Sequence, residues 1–463
     1  MRPLLAYVRS LNPHLPRSVQ ILQAGGLANA FGNGLAIPFL FIYLHNVRGI
    51  DLGTAGLVVG TNGAVSLVSG PVLGAMIDRV GGRRTLAFAL VAMAVGYGLY
   101  PFVHEPWQAF AAAAIAGIGN GGFWPSQSSL LAGLAGPTQR HTAFATQRVM
   151  MNLGIGLGGL TGGLIATTSN PRTFEALFLL DAATFLVFVG ALAFVPDPPR
   201  AVGADGRHER AGSYVDVLRN RVFVAVLALN FVFVAAGMAG LETFPAYAKN
   251  FAGVGETGIG VAFFLNTVVI VFAQLPIARA LEGRRRMATF AVLGIVWAVS
   301  WALVPLAGTA LTGGAAFALL AFAISLFAVG ECLHGTVQAP LVADLADHRL
   351  IGRYMALSAW TWSVGFTLGP AVGGYALKHA PEAFWLGAGA LCLAAGAMSL
   401  LLERALPVHV RRTPGRRRAG EAFGVASGTV TATMDDPLSP DAGPAPHPAH
   451  APAAGLERGH GSA

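Results

Sequence analysis

Glu331, His334 and Gln338 recur at i, i+3 and i+7 inside one long apolar run, which puts a carboxyl, an imidazole and an amide on a single helix face. A carboxyl withdrawn from water favours its neutral form and can load and release a proton near neutral pH. An imidazole can share that task. The chemistry is proton movement rather than bond breaking, and the competing role for Glu331 is a structural pair with an arginine or with His334. Glu242, in Gly240-Leu241-Glu242-Thr243-Phe244-Pro245, is a second carboxyl in an apolar run, beside a proline that interrupts helix hydrogen bonding. Arg148 and Asn152 stand one turn apart, with Gly159 below them on the same face. Arg148 would attract an anionic substrate or pair with a carboxylate such as Glu331, and the chemistry alone does not choose. Asn29, Asn33 and Tyr43 form a polar stripe on the first run, and Asn120, Trp124 and Gln127 another on the fourth. Asp181 reads as a packing or interface residue. Trp360 and Trp362 would line a cavity or sit against lipid.

The elements that must carry these groups are set by composition. Apolar residues make up 54% of the chain and charged residues 11%, against roughly one quarter charged in a soluble domain. The apolar material falls into about twelve runs of helix-spanning length, at 19–44, 52–77, 85–103, 107–132, 142–168, 174–195, 222–251, 257–281, 287–306, 313–342, 355–377 and 383–402. These runs are too long for strands and lack alternation, so the expected class is an all-α polytopic membrane protein. An intramembrane charge is expensive unless it faces a partner or water, which is why the polar stripes point to a transport path.

The two halves repeat. An ungapped offset of 211 residues lays Gly154, Gly158, Gly162 and Gly163 on Gly365, Gly369, Gly373 and Gly374, Gly119 on Gly330, Asn120 on Glu331 and Gln127 on Gln338. Two homologous helical halves with a site on the axis between them is a transporter plan. The glycines, with Pro370 after Gly369, are expected to let helices pack closely. The expected divisions are a six-helix bundle over 1–195, a central loop over 196–220, a second bundle over 221–404 and a tail without a packed core over 405–463.

The net charge of +8 follows the same plan. All Lys and Arg except Arg48, Arg148, Arg172, Lys249 and Lys378 fall on alternate connections and the two ends. This bias places both termini in the cytoplasm of a cell-membrane protein, so the basic balance reads as topology and not as a nucleic-acid partner. The first run is too long for a cleavable signal. Cys332 and Cys392 fall in separate runs and read as packing residues, and His447, His450 and His460 in the tail lack metal-ligand spacing.

Between the second and third runs stands Gly74-Ala75-Met76-Ile77-Asp78-Arg79-Val80-Gly81-Gly82-Arg83-Arg84-Thr85-Leu86. Gly74 would let two helices approach. Asp78 and Arg79 offer a charge pair at a helix end, Gly81 permits a tight turn, and Arg83 and Arg84 anchor the basic side. Such a cluster can act as a latch that holds one face shut. The pattern G-x-x-x-D-R-x-G-x-R-x-x-L after the second of twelve spans resembles the signature loop of the major facilitator superfamily, and the likeness covers the chain up to its tail. It implies two pseudo-symmetric six-helix bundles and a cavity to which the first span contributes. Within that superfamily the chain is most similar to bacterial drug:proton antiporters. Gly365-Phe366-Thr367-Leu368-Gly369-Pro370-Ala371-Val372-Gly373-Gly374 has the antiporter form, while the fifth span carries Gly159 in place of its proline and Ala113 stands where an arginine is common.

No phosphate-binding loop, metal set or nucleophilic triad is present, so no enzyme activity, ATP drive, cofactor or metal is expected. The leading expectation is secondary active export of a small amphipathic compound by a monomer in the lipid bilayer, driven by protons through Glu331 or Glu242. The alternatives are an uptake or facilitative carrier for a polar metabolite and, from another class, a non-transporting membrane sensor.

Overall fold

Apolar runs bounded by local caps become helices throughout. The computed structural model describes residues 15–197, 214–238, 240–346 and 350–413, and the described backbone is helical apart from turns and one isolated bridge. In the first half lie α1 (Arg17–Ile42), α2 (Leu52–Val80), α3 (Gly82–Leu99), α4 (Pro106–Ile165) and α5 (Pro171–Leu192). A single-turn helix, Tyr214–Leu218, precedes α6 (Arg221–Val232), α7 (Gly240–Asn250), α8 (Glu256–Ala280), α9 (Arg286–Thr309), α10 (Gly313–Leu345), α11 (Ile351–His379) and α12 (Pro381–Leu402). The caps follow sequence. Asp51 accepts from the Gly53 and Thr54 amides, Asn220 accepts from the Phe223 amide, and Gln108 accepts from the Glu105 amide.

Two departures from the sequence reading concern helix breaks. The connection expected around Arg140 is instead helical backbone, so the fourth and fifth spans form one element, α4. It must bend, because Gln127 and Gln147 line the same small cavity. A straight helix would hold them about 30 Å apart. Conversely, the seventh span is not one regular helix: a π turn at Phe233–Met238 separates α6 from α7, just before Glu242. Pro245 within α7 removes an amide donor one turn after Leu241. Nine of the spans are long and apolar enough to cross a bilayer among the described residues; the two arms of α4, with α11, complete the twelve.

Polar contacts sort the connections into two ends. At one end Arg48 donates to Pro101 O and pairs with Glu175 at 3.0 Å, Asn46 donates to Asn250, Lys378 pairs with Asp51 at 2.9 Å, and Glu256 accepts from the Thr168 amide at 2.9 Å. At the other, Arg83 pairs with Asp197, Arg285 with Glu403 and Arg286 with Asp344. The chain therefore alternates between an arginine-rich end and an opposite end, as an even number of spans requires.

Packing inside each half is aromatic. Tyr43, Tyr100, Phe174, Phe178 and Phe185 are fully buried in the first, and Trp297, Trp301 and Trp385 in the second. Glycines set the closest crossings between halves. A Cβ at Gly163 would stand 2.8 Å from the Gly260 Cα, and one at Gly374 2.8 Å from the Gly56 Cα. Real Cβ atoms do not approach so closely, so these backbones touch only because both partners are glycine. The offset of 211 carries Gly163 onto Gly374, and a shift of 204 (260 − 56) carries Gly56 onto Gly260, so the two crossings, α4 on α8 and α11 on α2, are mates under one approximate two-fold relation with a seven-residue difference in register. Both lie toward the end opposite the arginine-rich loops. Gly154, Gly158 and Gly162 play the same part against α1, Gly365 meets Val234, and Gly373 meets Thr243.

The expected tail begins later than 405. Residues through 413 are laid against the loop before α9, where the Arg286 amide donates to Arg411 O at 2.9 Å and the Thr413 amide to Arg284 O at 2.9 Å. The rest of the expected tail, residues 198–213 of the expected central loop, and His447, His450 and His460 lie outside the described residues.

Candidate functional site

A cavity of about 530 Å³ lies between the halves, lined from the first by α1, α2, α3 and both arms of α4 and from the second by α7 and α11. Its wall is aromatic and amide-bearing: Phe41, Tyr97, Tyr100, Trp124, Trp362 and Phe366 with Asn62, Asn120, Ser66 and Ser363. The Asn120 amide donates to Asn62 Oδ1 at 2.9 Å, which fixes α4 against α2 at cavity level. One acidic side chain lines this space. It is Glu242, and among the described residues no hydrogen bond or ion pair engages its carboxyl. The π turn before it and Pro245 after it are the local reason that α7 departs from a regular helix there.

A second, smaller cavity of about 50 Å³ adjoins it inside the first half, lined by Asn29, Asn33, Gln127 and Gln147 with Phe123, Trp124 and methionines. Asn29 Nδ2, Asn33 Oδ1 and Gln147 Nε2 are buried there without a protein partner. Trp124 and Met151 belong to both walls, so the polar stripes of the first and fourth spans meet the central cavity through a shared wall.

The sequence-level candidates separate into two groups. Glu242, Asn120, Trp124, Asn29, Asn33 and Gln127 line one cavity or the other. Glu331 does not. Its Oε2 accepts from the Asn266 amide at 2.9 Å, a contact between α10 and α8. His334 is buried behind the cavity wall. Its Nε2 bonds Asn230 Oδ1 at 2.9 Å, while the Asn230 amide donates to Thr361 at 2.7 Å, so the imidazole nitrogen is the donor. The ring stacks on Trp297 and meets the edge of Trp362, its one link to the cavity. Gln338 is buried on α10 with both amide atoms unpartnered. The one-face pattern on α10 thus meets α8 through Glu331 and α6 through His334.

Arg148 does not pair with Glu331. Its guanidinium lies against α10 at Gly335, where a Cβ would stand 2.8 Å from Nη2. Asn152 is half-buried and lines neither cavity. Tyr43, expected in the cavity stripe, is fully buried: its hydroxyl donates to Tyr100 O at 2.8 Å and accepts from Arg48 Nε at 2.6 Å. It fixes the end of the first half. The two tryptophans part company: Trp362 lies on the cavity wall, whereas Trp360 is 58% exposed and lines neither cavity.

In the loop between α2 and α3, Gly81 has φ +98°, the left-handed region that favours glycine. Arg83 donates to Val195 O at 3.2 Å and pairs with Asp197 at 3.5 Å, so the loop is tied to the end of the sixth span. Gly74 does not mark a close approach, since a Cβ there meets nothing within 4 Å. Arg84 is exposed, and the carboxyl of Asp78 lies outside the described residues. Sequence reasoning missed Asp197, and also Asn62, Ser66, Tyr97 and Tyr100. A lone Asn within the second apolar run was the available signal for Asn62. Among the described residues no group of three or more metal-ligating side chains forms.

Comparison with known proteins bears on this arrangement. The profile of the Major Facilitator Superfamily matches residues 23–310 and 243–446. The chain is 29% identical over 359 residues to "Multidrug resistance protein MdtH" of Cronobacter sakazakii (strain ATCC BAA-894), covering 75% of this chain and 86% of that protein. It is 23% identical over 425 residues to "Na(+), Li(+), K(+)/H(+) antiporter" of Planococcus maritimus, covering 83% and 94%. Among solved structures, the xylose transporter XylE from E. coli in an inward open conformation superposes with a TM-score of 0.65 at 16% identity, covering 82% of this chain and 94% of that one. That likeness concerns the fold.

Proposed function

The chain belongs to the Major Facilitator Superfamily, and from that premise we propose that it is a proton-coupled exporter of small amphipathic compounds in the cell membrane, with both termini cytoplasmic. The observation that carries this reading is the unpaired carboxyl of Glu242 in an otherwise aromatic and amide-lined cavity of about 530 Å³. A volume of this order suits a small organic molecule. Aromatic walls accept apolar and planar groups of varied shape, the amides of Asn62 and Asn120 orient a polar end, and the single carboxylate attracts a cationic one. A relative named for multidrug resistance and another named as a cation/proton antiporter point the same way.

The mechanism follows from competition at one group. Proton and substrate compete for the Glu242 carboxyl: a substrate bound in the cavity displaces the proton, or the returning proton displaces substrate. Either exchange couples the two movements if the cavity faces one side at a time. Close glycine crossings and the polar contacts at the end opposite the arginines supply a seal there, and the same glycine pairs can separate without breaking side-chain packing. Protons then favour one orientation over the other by differential binding.

Everted vesicles carrying the protein test the reading. A fluorescent amphipathic cation should accumulate when a proton gradient is imposed and leak out when an uncoupler collapses it. Flux that equilibrates without responding to the gradient would point to a facilitative carrier, and no flux for any member of a chemically varied panel would favour a sensor.

A further inference from the structure

A second open space of about 530 Å³ lies on the outer side of the second half at the arginine-rich end. Its mouth is formed by Arg284, Arg285 and Arg412 and its inner wall by Ala288, Val292 and Leu333. The backbone brings the two segments that carry these arginines together. An isolated antiparallel bridge joins Arg285 to Arg412, and the amide contacts between residues 284–286 and 411–413 flank it. Arg285 is paired with Glu403. Arg284 donates to Ala280 O and Arg412 to Gly283 O; among the described residues neither forms an ion pair, although the Glu403 carboxyl that Arg285 holds also feels the charge of Arg412. Holding like charges side by side is unfavourable, and an anion between them relieves it.

The apolar wall says where that anion comes from. Val292 begins a stripe of exposed apolar residues along α9, continued by Ile295, Val299 and Leu306 at helical spacing. Such a stripe on a spanning helix faces lipid, so the groove is continuous with the bilayer while its mouth lies at the basic interface. A soluble anion would use the arginines and leave the apolar wall wet. An acyl chain would cover it.

We infer that this groove binds an anionic glycerophospholipid, with the phosphodiester between Arg284 and Arg412 and an acyl chain along Ala288, Val292 and Leu333. The lipid clamps the strap of residues 406–413 onto the start of α9. It acts apart from the transport cavity, so its failure would leave the export reading untouched.

Native mass spectrometry of the purified full chain, offered phosphatidylglycerol or phosphatidylcholine in detergent, reads the inference directly. The unaltered protein should retain phosphatidylglycerol and lose phosphatidylcholine. The Arg284→Gln, Arg412→Gln double variant should retain roughly thirtyfold less, the worth of two cationic groups near a charged interface. Val292→Trp, which fills the groove without changing charge, should also reduce retention. Equal retention of both lipids by the unaltered protein would overturn the inference, as would unchanged retention in Val292→Trp. Displacement of phosphatidylglycerol by millimolar inorganic phosphate would overturn it in favour of a soluble anion site. If the double variant does not fold, the two-lipid comparison and Val292→Trp still decide.

Discussion

Glu242 and Glu331 are both acidic residues inside spans, and the richer sequence pattern surrounds the one that does not line the central cavity. Glu331 sits in the richer pattern, with His334 and Gln338 on its face. Glu242 stands nearly alone, yet it reaches the cavity. The difference is rotational: the sequence shows which residues share a face of α10, but not which neighbour that face meets. Here it meets Asn266. The Glu331→Gln variant keeps an acceptor oxygen for the Asn266 amide, and one neutral hydrogen bond is worth about 1 kcal/mol. Gradient-driven transport by Glu331→Gln should therefore stay within about fivefold of the unaltered protein, and loss of coupling in that variant alone would move the proton site to α10. Asp51 gives a contrasting case at the opposite end. The hydrogen bond from Lys378 holds its carboxyl below the ordinary carboxylate value of 3.8. A depressed value means the contact is fully present above that ordinary value and is lost only as pH falls through the lower one. Asp51→Asn should thus leave the shape of the pH profile of transport near neutrality unchanged. A profile that flattens in this variant would show that the Asp51–Lys378 pair, and not a cavity carboxyl, carries the pH response.

At the scale of elements, the apolar runs located the helices closely, and the caps at Asp51 and Asn220 began them where the sequence suggests. The failures came where helical backbone can do two things. The segment around Arg140 continues as helix although it must turn back, in spite of the Gly136-Pro137 pair that would ordinarily end a helix there. The π turn at Phe233–Met238 is silent in sequence, because it changes hydrogen-bond spacing and not composition. Glycines were legible as a class and not one by one. Gly74 belongs to the most specific motif, yet a Cβ there would meet nothing within 4 Å, whereas Gly158 packs its α-carbon against the α1 backbone. Gly74→Ala should leave the yield and thermal stability of purified protein unchanged. Gly158→Ala drives a Cβ into the Phe31 carbonyl and should destabilise by about 1–3 kcal/mol or more. Equal behaviour of the two variants in a thermal-shift measurement would contradict the packing described for α1 and α4.

For the whole molecule, the internal repeat was the most legible feature, and the mated crossings Gly163 on Gly260 and Gly374 on Gly56 give it physical form. The distribution of arginines likewise matches the two ends sorted by polar contacts. What sequence could not show is which end is drawn together. Contacts between halves through Asn46 and Asn250, Asp51 and Lys378, and Thr168 and Glu256 all lie opposite the arginines, and the described ion pairs at the arginine-rich end stay within one half. The cavity should accordingly be reached from the arginine-rich side. A Ser363→Cys variant, whose other thiols Cys332 and Cys392 are buried, should react with an impermeant thiol reagent from that face and be protected from the other. Labelling from the opposite face alone would reverse the assigned orientation. Coupling of proton and substrate movement rests, in the proposed mechanism, on the cavity carboxyl of Glu242. The most direct test is Glu242→Gln in proteoliposomes, with substrate exchange measured at equal pH and accumulation measured under an imposed proton gradient. Exchange should persist while accumulation is lost; full gradient-driven accumulation by Glu242→Gln would show that the coupling proton is carried elsewhere.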